Sequence, residues 1–340
     1  MRKLRTIQIG IGHDHGTSGF NSLLKNDDLF ECVGFAIPPE EEEQFADRVK
    51  EYRDDRGIPK YSIEEILELP DIDAAFIETV DYNLTKHAIM AAEKGLHIYM
   101  DKPGGTNLAD FERLISIVKE KNLTFNVAYM YRFNPKVMET MDMIKRGDLG
   151  DVYCVEAHMD CEYGTYKRNW LGDYPGGMMF YLGCHLVDLV HMIMGEPQEV
   201  IPLNVATGYG GVTALDYGMA CFKYPNGISF VKSCSNECGG YYRRQLVVCG
   251  TKATIEIKPF EMFEPGTERD YLYTVMREAR LGEGWQSEGK ITKTDYFNRF
   301  DAMVRCFGEV ALGKREQPFT PDYELGTYKL LLKSCGVKID

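Results

Sequence analysis

Residues 6–16 read TIQIGIGHDHG, and this stretch decides the fold. A short apolar run ends on Gly10, and Gly12 follows at the spacing a dinucleotide-binding turn needs. One glycine permits the tight bend out of the strand, and the second lets the backbone approach a pyrophosphate at a helix N-terminus. The third glycine position of that fingerprint holds His15. A Gly-x-Gly pair is a weak signal by itself, so its weight comes from its surroundings. Short apolar runs at 6–10, 32–36, 74–79, 97–100 and 124–128 alternate with longer amphipathic ones. The longer runs are 40–52 behind Pro39, 62–69 opened by Ser62 and Glu65 as a capping box, 83–94, and 107–121 capped by Asn107. They read as helices. Strands alternating with helices build a parallel sheet, so an α/β Rossmann domain is expected over residues 1–128.

The pattern changes after residue 130. Asn134-Pro135 opens a helix over 135–146 that Gly147 and Gly150 close. Strand-like runs follow at 152–160, 200–207, 217–224, 228–233, 246–249 and 254–257, some joined by turns such as Pro225-Asn226-Gly227. Helices are expected over 185–194 and 296–312, the second with an apolar stripe of Phe297, Phe300, Val304, Phe307 and Ala311. A second domain over 129–340 is therefore of α+β class with a mostly antiparallel sheet.

Composition narrows the function. The chain has 340 residues, 44% of them apolar, enough for two cores. Its net charge of −13 and its lack of any Lys/Arg-rich stripe argue against nucleic acid or an anionic membrane as partner. Gln8, Gly10 and Gly12 break the first apolar run too early for a signal-peptide core, and ten scattered cysteines suit a reduced, cytoplasmic protein. Cys234 and Cys238 read as buried thiols, having no second pair at zinc-ligand spacing.

The second strand ends Ala36-Ile37-Pro38-Pro39, without the acid that binds a ribose hydroxyl or the arginine that accepts a 2′-phosphate. The acidic run Glu40 to Glu43 follows, and as a solvated helix terminus it would still repel a 2′-phosphate. NAD is expected over NADP. Asp101-Lys102-Pro103 falls at the carboxyl end of the strand at 97–100, the edge where open α/β sheets hold ligands.

Together these motifs resemble the Gfo/Idh/MocA oxidoreductases. The resemblance rests on the glycine turn, Asp101-Lys102-Pro103, Tyr131-Arg132-Phe133-Asn134-Pro135, Gly176-Gly177 leading to Leu182-Gly183-Cys184-His185-Leu186-Val187-Asp188, and Gly250-Thr251-Lys252. It implies a Rossmann domain followed by an open-faced sheet domain for substrate and oligomerisation, the active site between them, and a homodimer or homotetramer. It implies Lys102 and His185 as catalytic residues, and cofactor contacts from Gly10, Ile11, Gly12, His13, Asp14, His15, Thr79, Asp101 and Lys102. Removing hydride from a carbinol carbon requires removing the hydroxyl proton. Histidine titrates near neutrality, and lysine can polarise the oxygen.

Departures from the family pattern are informative. Tyr181 stands where many relatives carry an aspartate that cooperates with the histidine, and Asp101 replaces a glutamate. Tyr181 is accordingly placed in the catalytic set. His185, Asp188 and His191 span almost two helical turns and do not converge, so no metal centre is expected. Tyr131, Arg132, His158, Arg168, Asn169, Trp170, Tyr181, His185, Tyr241 and Tyr242 form the expected substrate-binding set. Aromatic faces with fixed donors suit a sugar or polyol ring. The reading is an NAD(H)-dependent oxidoreductase acting on a secondary hydroxyl of a sugar, cyclitol or glycoside. Its alternatives are redox-neutral glycoside cleavage with bound NAD, and a non-catalytic dinucleotide sensor.

Overall fold

The computed structural model describes residues 2–263 and 271–339. The chain divides into two compact units: residues 1–129 with 300–325, and residues 130–299 with 326–340. The first crossing lies beside the expected boundary at 128/129. A second crossing brings residues 300–325 back to the first unit, which the expected division did not include. The cause is aromatic: the Phe307 ring packs on Phe30, Phe76 and Tyr99 of the first unit at centroid distances of 5.6–6.4 Å.

In the first unit the strands are β1 (Leu4–Ile9), β2 (Phe30–Ala36), β3 (Lys60–Tyr61), β4 (Ala74–Ile77), β5 (His97–Met100) and β6 (Phe125–Val127). All pair parallel, in the order β3-β2-β1-β4-β5-β6. The chain reverses its direction of travel across the sheet between β1 and β4, the switch point at which such sheets bind ligands. The helices are α1 (Gly16–Lys25), α2 (Pro39–Glu42), α3 (Ala46–Lys50), α4 (Ile63–Leu67), α5 (Leu84–Glu93) and α6 (Leu108–Glu120). Ser62 and Glu65 cap α4 reciprocally, and the Asn107 side chain accepts from Ala109 and Asp110 at the start of α6. The helix expected over 40–52 is instead broken into α2, α3 and a wider turn over Glu51–Asp55. Phe45, at φ −112° and ψ 24°, interrupts it, and its ring lies against Gly12.

The second unit opens with α7 (Pro135–Arg146), capped by the Asn134 side chain and ended by Gly147 at φ 75°. Its strands are β7 (Val152–His158), β8 (Glu199–Pro202), β9 (Tyr217–Tyr224), β10 (Gly227–Cys234), β11 (Gln245–Gly250), β12 (Ala253–Ile257), β13 (Tyr271–Leu272), β14 (Val275–Arg280), β15 (Lys290–Lys293) and β16 (Phe297–Asn298). Eight form one sheet in the order β15-β14-β12-β11-β7-β10-β9-β8, antiparallel except for the β7–β10 pair. Three further helices are α8 (Thr165–Trp170), α9 (Met178–Tyr181) and α10 (Gly183–Met194), with α10 packed on β7 and β10. Burial alternates along the strands: Val155, Ala157, Val231, Leu246 and Val248 are buried, while Cys154, Glu156, His158, Val247 and Cys249 are half-buried. With a side-chain period of two, the first set faces the helix layer and the second faces away from it.

The chain ends in α11 (Asp301–Ala311) and α12 (Pro321–Ser334). The helix expected from residue 296 starts at Asp301, because Phe297 pairs with Leu272 in a short two-stranded sheet. Cys234 is buried as expected, whereas Cys238 is exposed.

Candidate active site

The glycine turn is held from three sides. Gly10 has φ +87°, and a Cβ there would lie 2.4 Å from the Thr79 nitrogen, so only glycine fits. A Cβ on Gly12 would lie 2.6 Å from a carboxylate oxygen of Glu41 and 2.7 Å from the Phe45 ring. The Arg48 guanidinium donates to the carbonyls of Ile11 (2.6 Å) and His13 (3.2 Å). Two sequence readings change here. Glu41 is not part of a solvated helix terminus: it is 1% exposed and accepts from Asn83 Nδ2 at 2.9 Å and from the Val80 amide. Burial raises its pKa despite those hydrogen bonds. Glu40, Glu42 and Glu43 do remain exposed. The second change is that Arg48, well separated in sequence, supplies a cation at a turn whose strand end offered none.

Past the turn, the carboxyl ends of β1, β4 and β5 gather charge. His13 Nδ1 lies 2.8 Å from Asp101 Oδ2, and His13 Nε2 lies 3.4 Å from Asp81. His15, at the N-cap of α1, puts Nδ1 3.3 Å from the other oxygen of Asp101, and its ring meets Phe300 edge-on at 5.5 Å. Burial opposes a charge on His13, but the two carboxylates outweigh it and raise its pKa to about 9. Burial likewise opposes the charge on Asp101, and His13 and His15 hold its carboxyl well below the usual range. The neighbouring Glu78 is fully buried; burial and then the charge of Asp101 push its pKa well up. His13, His15 and Asp101 bring three ligand atoms within 4.8 Å of one another. Both His13 nitrogens face carboxylates, so the ion pairs run through His13 and neither of its nitrogens is left over for a metal, whereas burial lowers the pKa of His15. Lys102 follows Asp101 directly and is 2% exposed. Ile11 and Thr79 are buried, and Asp14 is exposed.

In the second unit, His185 lies in the first turn of α10, 1% exposed, with the Tyr131 ring edge-on at 4.9 Å. The Tyr131 hydroxyl donates to Glu261 at 2.6 Å, and Glu261 also pairs with Arg244 and, at 3.2 Å, with Arg299. Burial would raise the Glu261 carboxyl, but those two guanidinium groups hold it low. Neither Glu261 nor its arginines stood out in the sequence, since no motif joins residues so far apart.

The remaining expected substrate residues separate. Arg132 forms a buried bidentate pair with Asp188, at 2.6–3.0 Å, and so ties the Tyr131 segment to α10. Arg168 is similarly committed to Asp216 and Thr207. Trp170, Tyr174 and Tyr181 form an aromatic cluster, with the Lys167 ammonium 3.6 Å from the Trp170 centroid and 4.6 Å from that of Tyr181. Asn169 and Tyr242 are exposed, and Tyr241 stacks under Arg244 at 4.4 Å. His158 lies on the sheet face turned away from α10, opposite Gln245 and Lys232. It is thereby separated from His185: the strand period sends it to the other side.

A parallel sheet in this strand order, with a glycine turn at β1, joined to an eight-stranded sheet domain, defines a two-domain dinucleotide-binding oxidoreductase. The chain belongs to the Gfo/Idh/MocA family: residues 4–129 match its NAD-binding Rossmann domain, and residues 137–256 match its C-terminal domain. The chain is similar to trans-1,2-dihydrobenzene-1,2-diol dehydrogenase of Bos taurus, 24% identical over 234 residues, covering 66% of this chain and 68% of that one. An uncharacterised oxidoreductase of Rhizobium meliloti is 23% identical over 79% of both chains. Among solved structures, aldose-aldose oxidoreductase of Caulobacter crescentus superposes with a TM-score of 0.78, at 20% identity over 98% of both chains. A 3-ketoreductase of Actinomadura kijaniata, complexed with NADP and TDP-benzene, gives 0.77 at 16% identity over 97% of this chain and 96% of that one. The family fixes a nicotinamide dinucleotide without choosing between NAD and NADP. Among the described residues no helix is long and apolar enough to cross a membrane.

Proposed function

We propose that this protein transfers hydride between a secondary hydroxyl of a sugar, cyclitol or glycoside and a nicotinamide dinucleotide, with NAD(H) favoured. The observation that carries this reading is Lys102, a buried lysine delivered by β5 to the carboxyl edge of the sheet, one residue after the Asp101 network. The residues there fit the dinucleotide. The Gly10-Ile11-Gly12 turn feeds the N-terminus of α1, where the positive end of the helix dipole suits a diphosphate. When bound, the nicotinamide supplies the hydride acceptor.

On this reading Lys102 polarises the hydroxyl oxygen and His185 takes its proton, held edge-on by Tyr131. Tyr131 is itself fixed by its hydrogen bond to Glu261, so the ring cannot drift. Trp170 and Tyr181 offer faces for the apolar side of a sugar ring. The diol, aldose and keto-group chemistry in the relatives' names supports the CH–OH class. Exposed Ile201, Leu203, Val205 and Ile228 support assembly as a homodimer or homotetramer, and the ten free thiols support a cytoplasmic setting.

The test is native mass spectrometry for retained dinucleotide, followed by a panel of sugars, cyclitols and glycosides read at the NADH absorbance and for released aglycone. Stoichiometric NADH from a polyol or sugar supports the reading. Aglycone release without net NADH would replace it with redox-neutral cleavage, and no turnover on any class would replace it with a sensor.

A further inference from the structure

Outside the residues given roles above, one side-chain cluster combines reactive groups that packing does not explain. Cys154 on β7 and Cys249 on β11 are direct cross-strand partners, and Glu156 lies two residues along β7 on the same face. Their sulfur and carboxylate atoms all lie within 4.8 Å of one another. On its other side Cys249 is the register partner of Thr254 on β12. All three residues are half-buried, on the sheet face turned away from the helix layer. Cysteines that serve as small apolar fillers sit in the core, as Cys161 and Cys184 do here. A carboxylate beside a thiol pair adds nothing to apolar packing, and Glu156 has no basic partner within ion-pair distance among the described residues.

We propose that Cys154, Glu156 and Cys249 form a binding site for one thiophilic divalent cation of the zinc class. Two sulfurs and one carboxylate oxygen are the donor types zinc takes, and three protein ligands leave a fourth position to water. Zinc–sulfur bonds of about 2.3 Å and a zinc–oxygen bond of about 2.0 Å in a tetrahedron need ligand atoms about 3.5–3.8 Å apart. The existing spacing therefore closes by about 1.3 Å at most, within reach of side-chain rotation on a fixed sheet. Each thiol gives its proton to solvent as its sulfur–metal bond forms, so binding releases protons and no electron changes hands. Nothing in this site draws on the proposed hydride chemistry.

The experiment is an anaerobic titration of the full-length protein, kept reduced with a phosphine, using cobalt(II) as a spectroscopic stand-in and zinc(II) as competitor. One equivalent of cobalt should produce thiolate-to-metal charge-transfer absorption in the near ultraviolet, and one equivalent of zinc should abolish it. The band should fall by about half in Cys154→Ser and in Cys249→Ser and vanish in the double variant. Glu156→Gln should keep the band and weaken affinity by about tenfold or more. A band of full strength in the double variant, or none in the wild type at one equivalent, would overturn the proposal. Because the serine variants could lose their fold, alkylation mapping of the unaltered protein gives a second reading. Zinc should protect Cys154 and Cys249 selectively among the ten cysteines, and equal labelling with and without zinc would count equally against the site.

Discussion

His13 and Asp101 form an ion pair 2.8 Å long with both side chains about 1% exposed, at the point where a bound diphosphate would meet the sheet. Such a pair stabilises the fold only while both groups are charged. The folded pKa of His13, about 9, lies above its ordinary 6.5, so its contribution is complete below pH 6.5 and is lost as pH rises through 9. The size of the shift corresponds to roughly 3 kcal/mol. Asp101 is depressed instead, so its contribution holds above the ordinary carboxylate range and fades in acid. Urea unfolding between pH 6 and pH 10 should show stability falling from about pH 6.5 to pH 9 and levelling above that. His13→Gln should remove that slope and lower stability at pH 6 by about 3–5 kcal/mol, since it strands a buried carboxylate. A wild type whose stability is flat from pH 6 to pH 10 would contradict the charged pair.

The catalytic assignment predicts that Lys102→Ala and His185→Ala each lower turnover by about a hundredfold or more while dinucleotide affinity changes little. The two losses should not add in the double variant, because both groups serve one proton transfer. Near wild-type turnover in His185→Ala on the true substrate would remove that residue from the mechanism.

Cofactor choice turns on a residue the linear reading missed. Glu40, Glu42 and Glu43 are exposed, and on the proposed reading they disfavour a 2′-phosphate, so NAD(H) should bind more tightly than NADP(H). The Arg48 guanidinium is already spent on the Ile11 and His13 carbonyls. Fluorescence titration of Arg48→Ala should therefore show both dinucleotides weakened alike, through a loosened turn. Loss confined to NADP(H) would mean that Arg48 reads the phosphate.

The legible parts of this fold were those governed by local physics. The Gly10 turn, the caps at Ser62, Asn107 and Asn134, and the period-two runs of β9 to β12 all follow from short-range geometry, and the structure places them within a residue or two of expectation. What escaped depends on partners distant in the chain. Phe45 breaks a helix that period alone would continue, because its ring is drawn to Gly12. Phe307 returns a C-terminal segment to the first unit. The face on which His158 lies depends on strand pairing that no motif announces. Within the site, motif residues such as Lys102 and His185 could be named, whereas Asp81, Glu261 and Arg299 enter only through contacts.

Tyr181 separates packing from catalysis. It is 5% exposed within a cluster containing Leu171, Met178 and Val212, with Trp170 edge-on at 5.1 Å. Tyr181→Ala should cost about 3–5 kcal/mol by urea unfolding, and Tyr181→Phe, which keeps the ring, much less. If the phenol does not set the charge of His185, Tyr181→Phe should also leave the acidic limb of the pH–rate profile in place. A shift of that limb would show the hydroxyl acting on the histidine.

Arg132 was expected at the substrate, yet its guanidinium is held by Asp188, both side chains 1% exposed. A buried pair of this kind contributes little net stability over an apolar pair, because desolvation offsets the attraction, but removing one partner leaves the other charge unsolvated. Asp188→Asn should therefore destabilise by about 3–5 kcal/mol, and Arg132→Met by a similar amount, whereas the Arg132→Met/Asp188→Leu double variant should recover much of the loss. Recovery of stability in that double variant with KM unchanged would make the pair architectural, joining the Tyr131 segment to α10 and so setting the ring against which His185 rests. Recovery of stability with KM raised tenfold or more would return Arg132 to the substrate, since only a contact with the ligand survives as a loss once the fold is restored.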